Sequence, residues 1–202
     1  MTPPTDEPRP PRQSHRDLPS QLAAEAPVIL GEWTENPNWR ALTAAAEAHL
    51  RTAPTLFGAM LIDRLSPDDA PALISEAARM LALEAAAFVL AGDDLPGMLP
   101  VPAPVRDAVH ALTAQVALLR AVTDRSGVRL NHRTPVRALP YTSACLTADA
   151  YTAAWGEPPR RFWLSAPVAA ARRRHLTDLY GHLAITTSED GSVRHTITYP
   201  TP

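Results

Sequence analysis

The sequence predicts an α+β fold that is predominantly helical: a helical N-terminal half packed on a small C-terminal antiparallel sheet with one helix. Three observations carry this expectation. Up to about residue 124, apolar residues recur at helical spacing behind recognisable helix-start signals. After Gly127 the apolar period shifts toward two, the period of a strand. Pro96, Pro100, Pro102 and Pro104 separate the two regimes.

The elements follow in chain order. Residues 1–27 carry seven Pro and almost no large apolar side chain before Leu18, the composition of a disordered, Pro-rich arm. One globular domain is expected over 28–202, with a helical part at 36–124, a Pro-rich connection at 95–104 and a mixed part at 127–200. Asn36-Pro37 reads as a cap followed by Pro at the first helical position, and predicts a helix to about Arg51. Thr55 is placed to cap a short helix to Leu65. Ser66-Pro67-Asp68-Asp69 offers a capping hydroxyl, a Pro at N1 and acids in the first turn, where they favour the helix dipole. That helix should reach about Ala91.

Val105, Val109, Leu112, Val116 and Leu119 fall on one stripe, which predicts a continuous helix over 105–124. Val128 and Leu130 alternate with Arg129 and Asn131 as in a strand with one polar face. Residues 161–164 are a second short strand candidate. Ser165 should cap a helix over 166–180, ended by Gly181. The segments 183–187 and 193–199 flank an Asp190-Gly191 turn, the signature of a hairpin.

Composition excludes more than it assigns. The chain has 202 residues, 46% of them hydrophobic and 20% charged, enough for one domain with its own core. All 19 basic residues are Arg. Without Lys there is no P-loop Lys, no Schiff-base amine and no Ser-x-x-Lys acylase site, and Arg cannot replace a lysine amine because its pKa is too high. The Arg and Ala bias points to a GC-rich bacterial genome. Cys145 is the only cysteine, so no intrachain disulfide or Cys-x-x-Cys site forms. The eight Gly residues make no Gly-x-Gly-x-x-Gly motif. With no apolar signal core near Met1 and no long apolar run, a soluble cytoplasmic protein without a nucleotide, pyridoxal or other cofactor is expected.

Charge is divided along the chain. Residues 1–100 hold seven Arg against fourteen acids, and residues 101–202 hold twelve Arg against seven acids. Such a chain can dock its halves, associate with itself, or offer its basic half to an anionic partner.

A few residues stand out of place. Arg172, Arg173 and Arg174, with Arg129 and Arg133, are the anion-binding candidates. The simpler reading of the triple-Arg run is a solvated helix face, with Arg174 and Asp178 paired four residues apart. Arg172 falls among Val168, Ala169, Leu176 and Leu179 on a helical wheel, so its stem should lie along the core or its head should meet a buried acid. Glu84 falls on an apolar face with Leu73, Ala77, Met80 and Phe88. His49 lies between Leu42 and the side of Trp39 and Leu50. An inward His and an inward Glu could act as an acid–base pair, with Arg172 orienting an anionic substrate. The plainer reading is a satisfied polar network or a covered interface. His175, Asp178 and His182 approach metal-ligand spacing, but Gly181 should end the helix before His182, and no metal site is expected. Cys145 reads as a small buried residue.

The leading expectation is therefore a non-catalytic accessory or protein-interaction protein of a bacterial cytoplasm, covered by a protein partner or a second copy. A small-molecule enzyme using His49 and Glu84 is the alternative. A nucleic-acid-associated protein using the Arg-rich C-terminal half is the third reading, disfavoured by the overall acidic balance and the lack of a reader motif.

Overall fold

The computed structural model describes residues 17–52, 61–62, 68–91, 99–124, 139–181, 185–187 and 193–195. Within them the chain forms α1 (Leu18–Thr34), α2 (Trp39–Thr52), α3 (Asp69–Ala91), α4 (Ala103–Thr113), α5 (Val116–Thr123), α6 (Leu146–Trp155) and α7 (Ala166–Gly181). The architecture is helical, which corrects the α+β expectation. Among the described residues no sheet underlies the helices. A ladder of three residue pairs joins Ile185–Thr187 (β1) to Val193–His195 (β2), and β1 lies against α7. None of α1–α6 packs substantially on it, so it is not a layer of the fold.

α3 is the central helix. Leu73, Ile74, Ala77, Ala78, the run Met80–Leu83 and Ala85–Ala87 are all buried, so it is apolar almost all round, as a helix enclosed by others must be. α1 covers one side of it and α4 another, α6 packs on α1, and α2 bridges α3, α4 and α5. The many alanines allow close helix approach. Bulk comes from Trp33, Leu22, Leu42, Leu112 and Tyr151, each almost fully buried. Burying a large apolar side chain contributes about 1.5–3 kcal/mol.

α1 begins at Leu18, inside the stretch expected to be an arm. Leu22, Ala26, Ile29 and Trp33 recur at intervals of three and four and are all buried, and Pro19 sits in the first turn, where its missing N–H costs nothing. Pro27 lies inside the helix. The apolar stripe outweighs the lost backbone bond, a cost of about 3 kcal/mol.

Asn36 both starts α2 and fixes its position. Its Oδ1 accepts from the Asn38 N–H at 2.9 Å, and its Nδ2 donates to the Ala121 carbonyl at 3.0 Å, at the end of α5. The predicted helix over 105–124 is broken into α4 and α5. Gln115 leaves the helical region at φ −85°, ψ 54°. Around it, Thr113 Oγ1 donates to the His110 carbonyl and Gln115 Nε2 to the Ala111 carbonyl, side-chain bonds that compete with the helical ladder. The break turns Val116 out, 55% exposed, and buries Val122.

Residues 161–164 form a turn rather than a strand. The Phe162 and Trp163 N–H groups both donate to the Pro159 carbonyl, and the preceding Pro158-Pro159 has no N–H for a ladder. The strand predicted at 128–131 and most of the short helix predicted at 55–65 lie outside the described residues. So do the turn of the predicted hairpin and the sites Arg129 and Arg133. No helix among the described residues is long and apolar enough to cross a membrane.

Candidate functional site

Two connected features concentrate the chemistry: a buried carboxylate on α3, and a cleft between α6 and α7. Glu76 is 4% exposed. Its Oε2 accepts from the Tyr151 hydroxyl at 2.6 Å and from the Trp163 indole N–H at 2.8 Å. Its Oε1 accepts from Arg79 Nη1 at 2.9 Å, one turn along α3. Arg79 Nη1 also donates to the Tyr151 oxygen at 2.7 Å. A buried charge is tolerated only when paired and hydrogen-bonded, and here it is both.

The aromatic rings extend the cluster. Tyr151 and Trp163 have centroids 4.6 Å apart, Tyr141 meets Trp163 edge-on at 5.3 Å, and Tyr151 meets Trp155 edge-on at 5.2 Å. The Arg79 guanidinium lies over both Tyr151 and Trp155. Burial, then the Glu76 charge and hydrogen bond, push the Tyr151 hydroxyl well above the usual phenol range, against the opposing pull of Arg79. Burial and the neighbouring Cys145 push Tyr141 up to about 12.

Trp163 and Tyr141 carry this cluster to the surface, where both line a half-open cleft of about 550 Å³. Ala148 and Thr152 of α6 form one wall, and Val168 and Arg172 of α7 the other. The hydroxyls of Ser143 and Ser165 also line it, as do Glu157 and Arg160. The last two are paired with each other at 2.8 Å on the exposed rim. Gly156 makes this rim possible. It ends α6 at φ 86°, a backbone region that favours glycine, and turns the chain into the Pro-rich segment that carries Trp163.

Arg172 enters the cleft from α7. Its guanidinium donates to the backbone carbonyl of Leu61, and no carboxylate among the described residues pairs with it. Leu61, whose carbonyl it meets, forms a small buried cluster with Ala103, Leu164 and Ala169, against which Leu176 packs. Arg173 and Arg174 are exposed, so the three consecutive arginines do not present one face. Arg161, next in sequence to the buried Phe162, makes a two-pronged bond to Asp69 at 3.0 and 2.7 Å, tying the segment back to the first turn of α3.

The cleft is lined by Arg172 but by neither Glu84 nor His49. Glu84 is half-buried on α3 and has an interaction partner. His49 is half-buried in the last turn of α2, where a protonated imidazole favours the helix dipole. Cys145 is half-buried and stands at the start of α6 without a side-chain cap bond. Among the described residues no three His, Cys, Asp or Glu side chains group closely enough to hold a metal ion, and His182 lies outside them.

Sequence reasoning missed Glu76, Arg79, Tyr151 and Trp163. Glu76 lies between Leu73 and Met80 at helical spacing, as Glu84 lies between Met80 and Phe88. On a helix buried nearly all round, periodicity does not separate one from the other. No family model, curated protein or solved structure matches this chain.

Proposed function

We propose that this protein is a non-catalytic binding module that captures the anionic group of a small molecule in the cleft between α6 and α7. The observation that carries this reading is Arg172. It is a half-buried guanidinium in the cleft wall whose hydrogen-bond partner is a neutral carbonyl. Arg51, Arg79, Arg160 and Arg161 each have a carboxylate partner. An anion arriving at Arg172 meets a charge that no carboxylate among the described residues neutralises, and a guanidinium favours planar carboxylate or phosphate. The Ser143 and Ser165 hydroxyls add neutral donors. The apolar edges of Tyr141, Trp163, Leu164 and Val168 suit the body of the ligand.

The lining favours binding over turnover. Among the described residues it contains no His and no Cys, and one carboxylate, Glu157, which is engaged by Arg160. Among the described lining residues the serine hydroxyls therefore have no free base beside them. The outward-facing Arg173 and Arg174 do not join Arg172 in a continuous basic face, so a small anion fits better than a nucleic-acid backbone.

The test is calorimetry and thermal melting with inorganic phosphate, acetate, citrate and benzoate as probes. At least one should bind the wild-type protein. Arg172→Gln should weaken that probe roughly 10- to 100-fold, the range of a hydrogen bond to a charged group at about 1.5–3 kcal/mol. Glutamine removes the charge but is two bonds shorter than arginine, so circular dichroism of the variant checks that the fold survives loss of the Leu61 bond. Arg174→Gln should leave binding unchanged. Equal binding by wild type and Arg172→Gln, or no binding of any probe at millimolar concentration, removes the reading.

A further inference from the structure

Donors and acceptors along the cleft are unequally engaged. Acceptors of four lining residues are taken. The Tyr141 carbonyl accepts the Ala166 N–H at 2.9 Å, the Ser165 carbonyl the Ala169 N–H at 2.9 Å, and the Thr152 carbonyl the Gly156 N–H at 3.0 Å. The Glu157 carboxylate accepts from Arg160. The donors are left over. Arg172 uses one guanidinium nitrogen on the Leu61 carbonyl, out of a fork that carries five N–H groups. The hydroxyls of Ser143 and Ser165 line the cleft and have no partner among the described residues. At the start of α7, Pro167 has no N–H and the amides of Ala166 and Ala169 are engaged. The amide of Val168, a lining residue, has no partner among the described residues.

These donors come from separate places: residue 143 ahead of α6, residues 165 and 168 around the start of α7, and residue 172 one turn further on. A ligand group that satisfies them must accept from several directions and donate nothing. A carboxylate has two oxygens in one plane, and a single guanidinium fork can fill both. A phosphoryl group has three strong acceptor oxygens and carries close to two negative charges at neutral pH. It can therefore use the serine hydroxyls and the Val168 amide as well as Arg172. Glu157 does not oppose it, because Arg160 offsets that charge at the rim.

Resting on the reading of the cleft as an anion site, we infer that its ligand is a phosphate monoester of a small, largely apolar molecule. Arg172 supplies the charge, and Ser143, Ser165 and the Val168 amide supply the further donors. Pro158, Leu164 and Val168 supply apolar surface for the esterified body, and about 550 Å³ is room for a small organic molecule.

Three probes that share one ring test the class: phenyl phosphate, phenyl sulfate and benzoate. Titration calorimetry on the full chain at pH 8, where the phosphate ester is doubly ionised, gives each affinity. Phenyl phosphate should bind at least roughly 10-fold more tightly than either of the others, the gain from one more hydrogen bond to a charged group. Ser143→Ala with Ser165→Ala should weaken phenyl phosphate about 10-fold and leave benzoate nearly unchanged, with circular dichroism checking the fold of the variant. Benzoate binding as tightly as phenyl phosphate overturns the inference. If that benzoate binding is lost in Arg172→Gln, the anion site itself stands and only the phosphate class falls. Phenyl sulfate matching phenyl phosphate also overturns it, since the second charge then contributes nothing. So does a serine variant that weakens both phenyl phosphate and benzoate equally. Failure of all three probes at millimolar concentration removes the inference and the anion site together.

Discussion

The carboxylate of Glu76 accepts the indole N–H of Trp163 at 2.8 Å, joining residues 87 positions apart in the chain. One oxygen atom thereby holds the central helix, the hydroxyl of α6 residue Tyr151 and the segment that forms the cleft wall. The bond is charge-assisted and buried, which places it among the stronger protein hydrogen bonds.

Removing that charge should therefore cost stability and disturb the cleft together. Glu76→Gln is expected to destabilise the protein by about 2–4 kcal/mol, near the lower part of the range for breaking a buried pair, because Arg79 reaches partly into water. Trp163→Phe keeps a ring but deletes the donor, and should cost about 1.5–3 kcal/mol. Chemical denaturation of both variants and of the double variant measures the coupling. Strictly additive losses would show that the two groups do not act on each other.

Alkaline pH should unfold the protein through its buried phenols. Tyr141 is raised from 10.0 to about 12, and Tyr151 is raised further in the same direction. A folded-state pKa above the unfolded value means that stability is complete below pH 10 and declines above it, over roughly pH 10 to 12 for Tyr141. Urea midpoints measured from pH 8 to pH 11.5 should be flat and then fall. Tyr151→Phe should make the fall shallower. An unchanged slope in that variant would show that Tyr151 ionises as freely folded as unfolded.

Thr147 should be replaceable at a profit. It is fully buried in the first turn of α6, and its hydroxyl has no hydrogen-bond partner among the described residues. Valine has nearly the same shape and no polar atom. Thr147→Val should stabilise by about 1 kcal/mol, the lower end of the cost of an unsatisfied buried group. Thermal melting decides the sign, and a lower Tm for the variant would mean that the hydroxyl is satisfied in solution.

Asn36→Ala should lose more than a helix cap. The side chain caps α2 and also donates to the last turn of α5, so the cost should exceed the usual cap value of about 1 kcal/mol. Asn36→Asp keeps the cap acceptor but loses the donor to Ala121. It should fall between wild type and Asn36→Ala in chemical denaturation, and equal values for the two variants would assign all of the effect to the donor.

What the sequence makes legible is local. Asn36-Pro37 marks the start of α2, and Asp68-Asp69 with the apolar run behind it marks α3, because capping and dipole effects act within one turn. α6 is not legible. Its buried positions Thr147, Ala148, Ala150 and Tyr151 span little more than one turn and include only one large side chain, so only Gly156 announces the helix, from its far end. The break at Gln115 is hidden by a stripe that continues past it, since Val116 keeps the period while the backbone abandons it. The cleft is hidden for a different reason. Its walls come from separate segments: the helical wheel sets Arg172 apart from Arg173 and Arg174, but no local pattern pairs it with the Leu61 carbonyl 111 positions away.

The small apolar cluster under α7 has a consequence for energetics. Leu61, Ala103, Leu164 and Ala169 are separate from the main core, so detaching α7 costs the free energy of that patch, the hydrogen bonds from Arg172 to Leu61 and from the Ala166 N–H to the Tyr141 carbonyl, and the contact with β1, rather than that of the whole bundle. Sub-global opening of this kind sets a reserve of undocked molecules in which one wall of the cleft is missing. Affinity for any occupant is then the intrinsic affinity multiplied by the docked fraction. A substitution that strengthens the patch would tighten binding without touching the ligand.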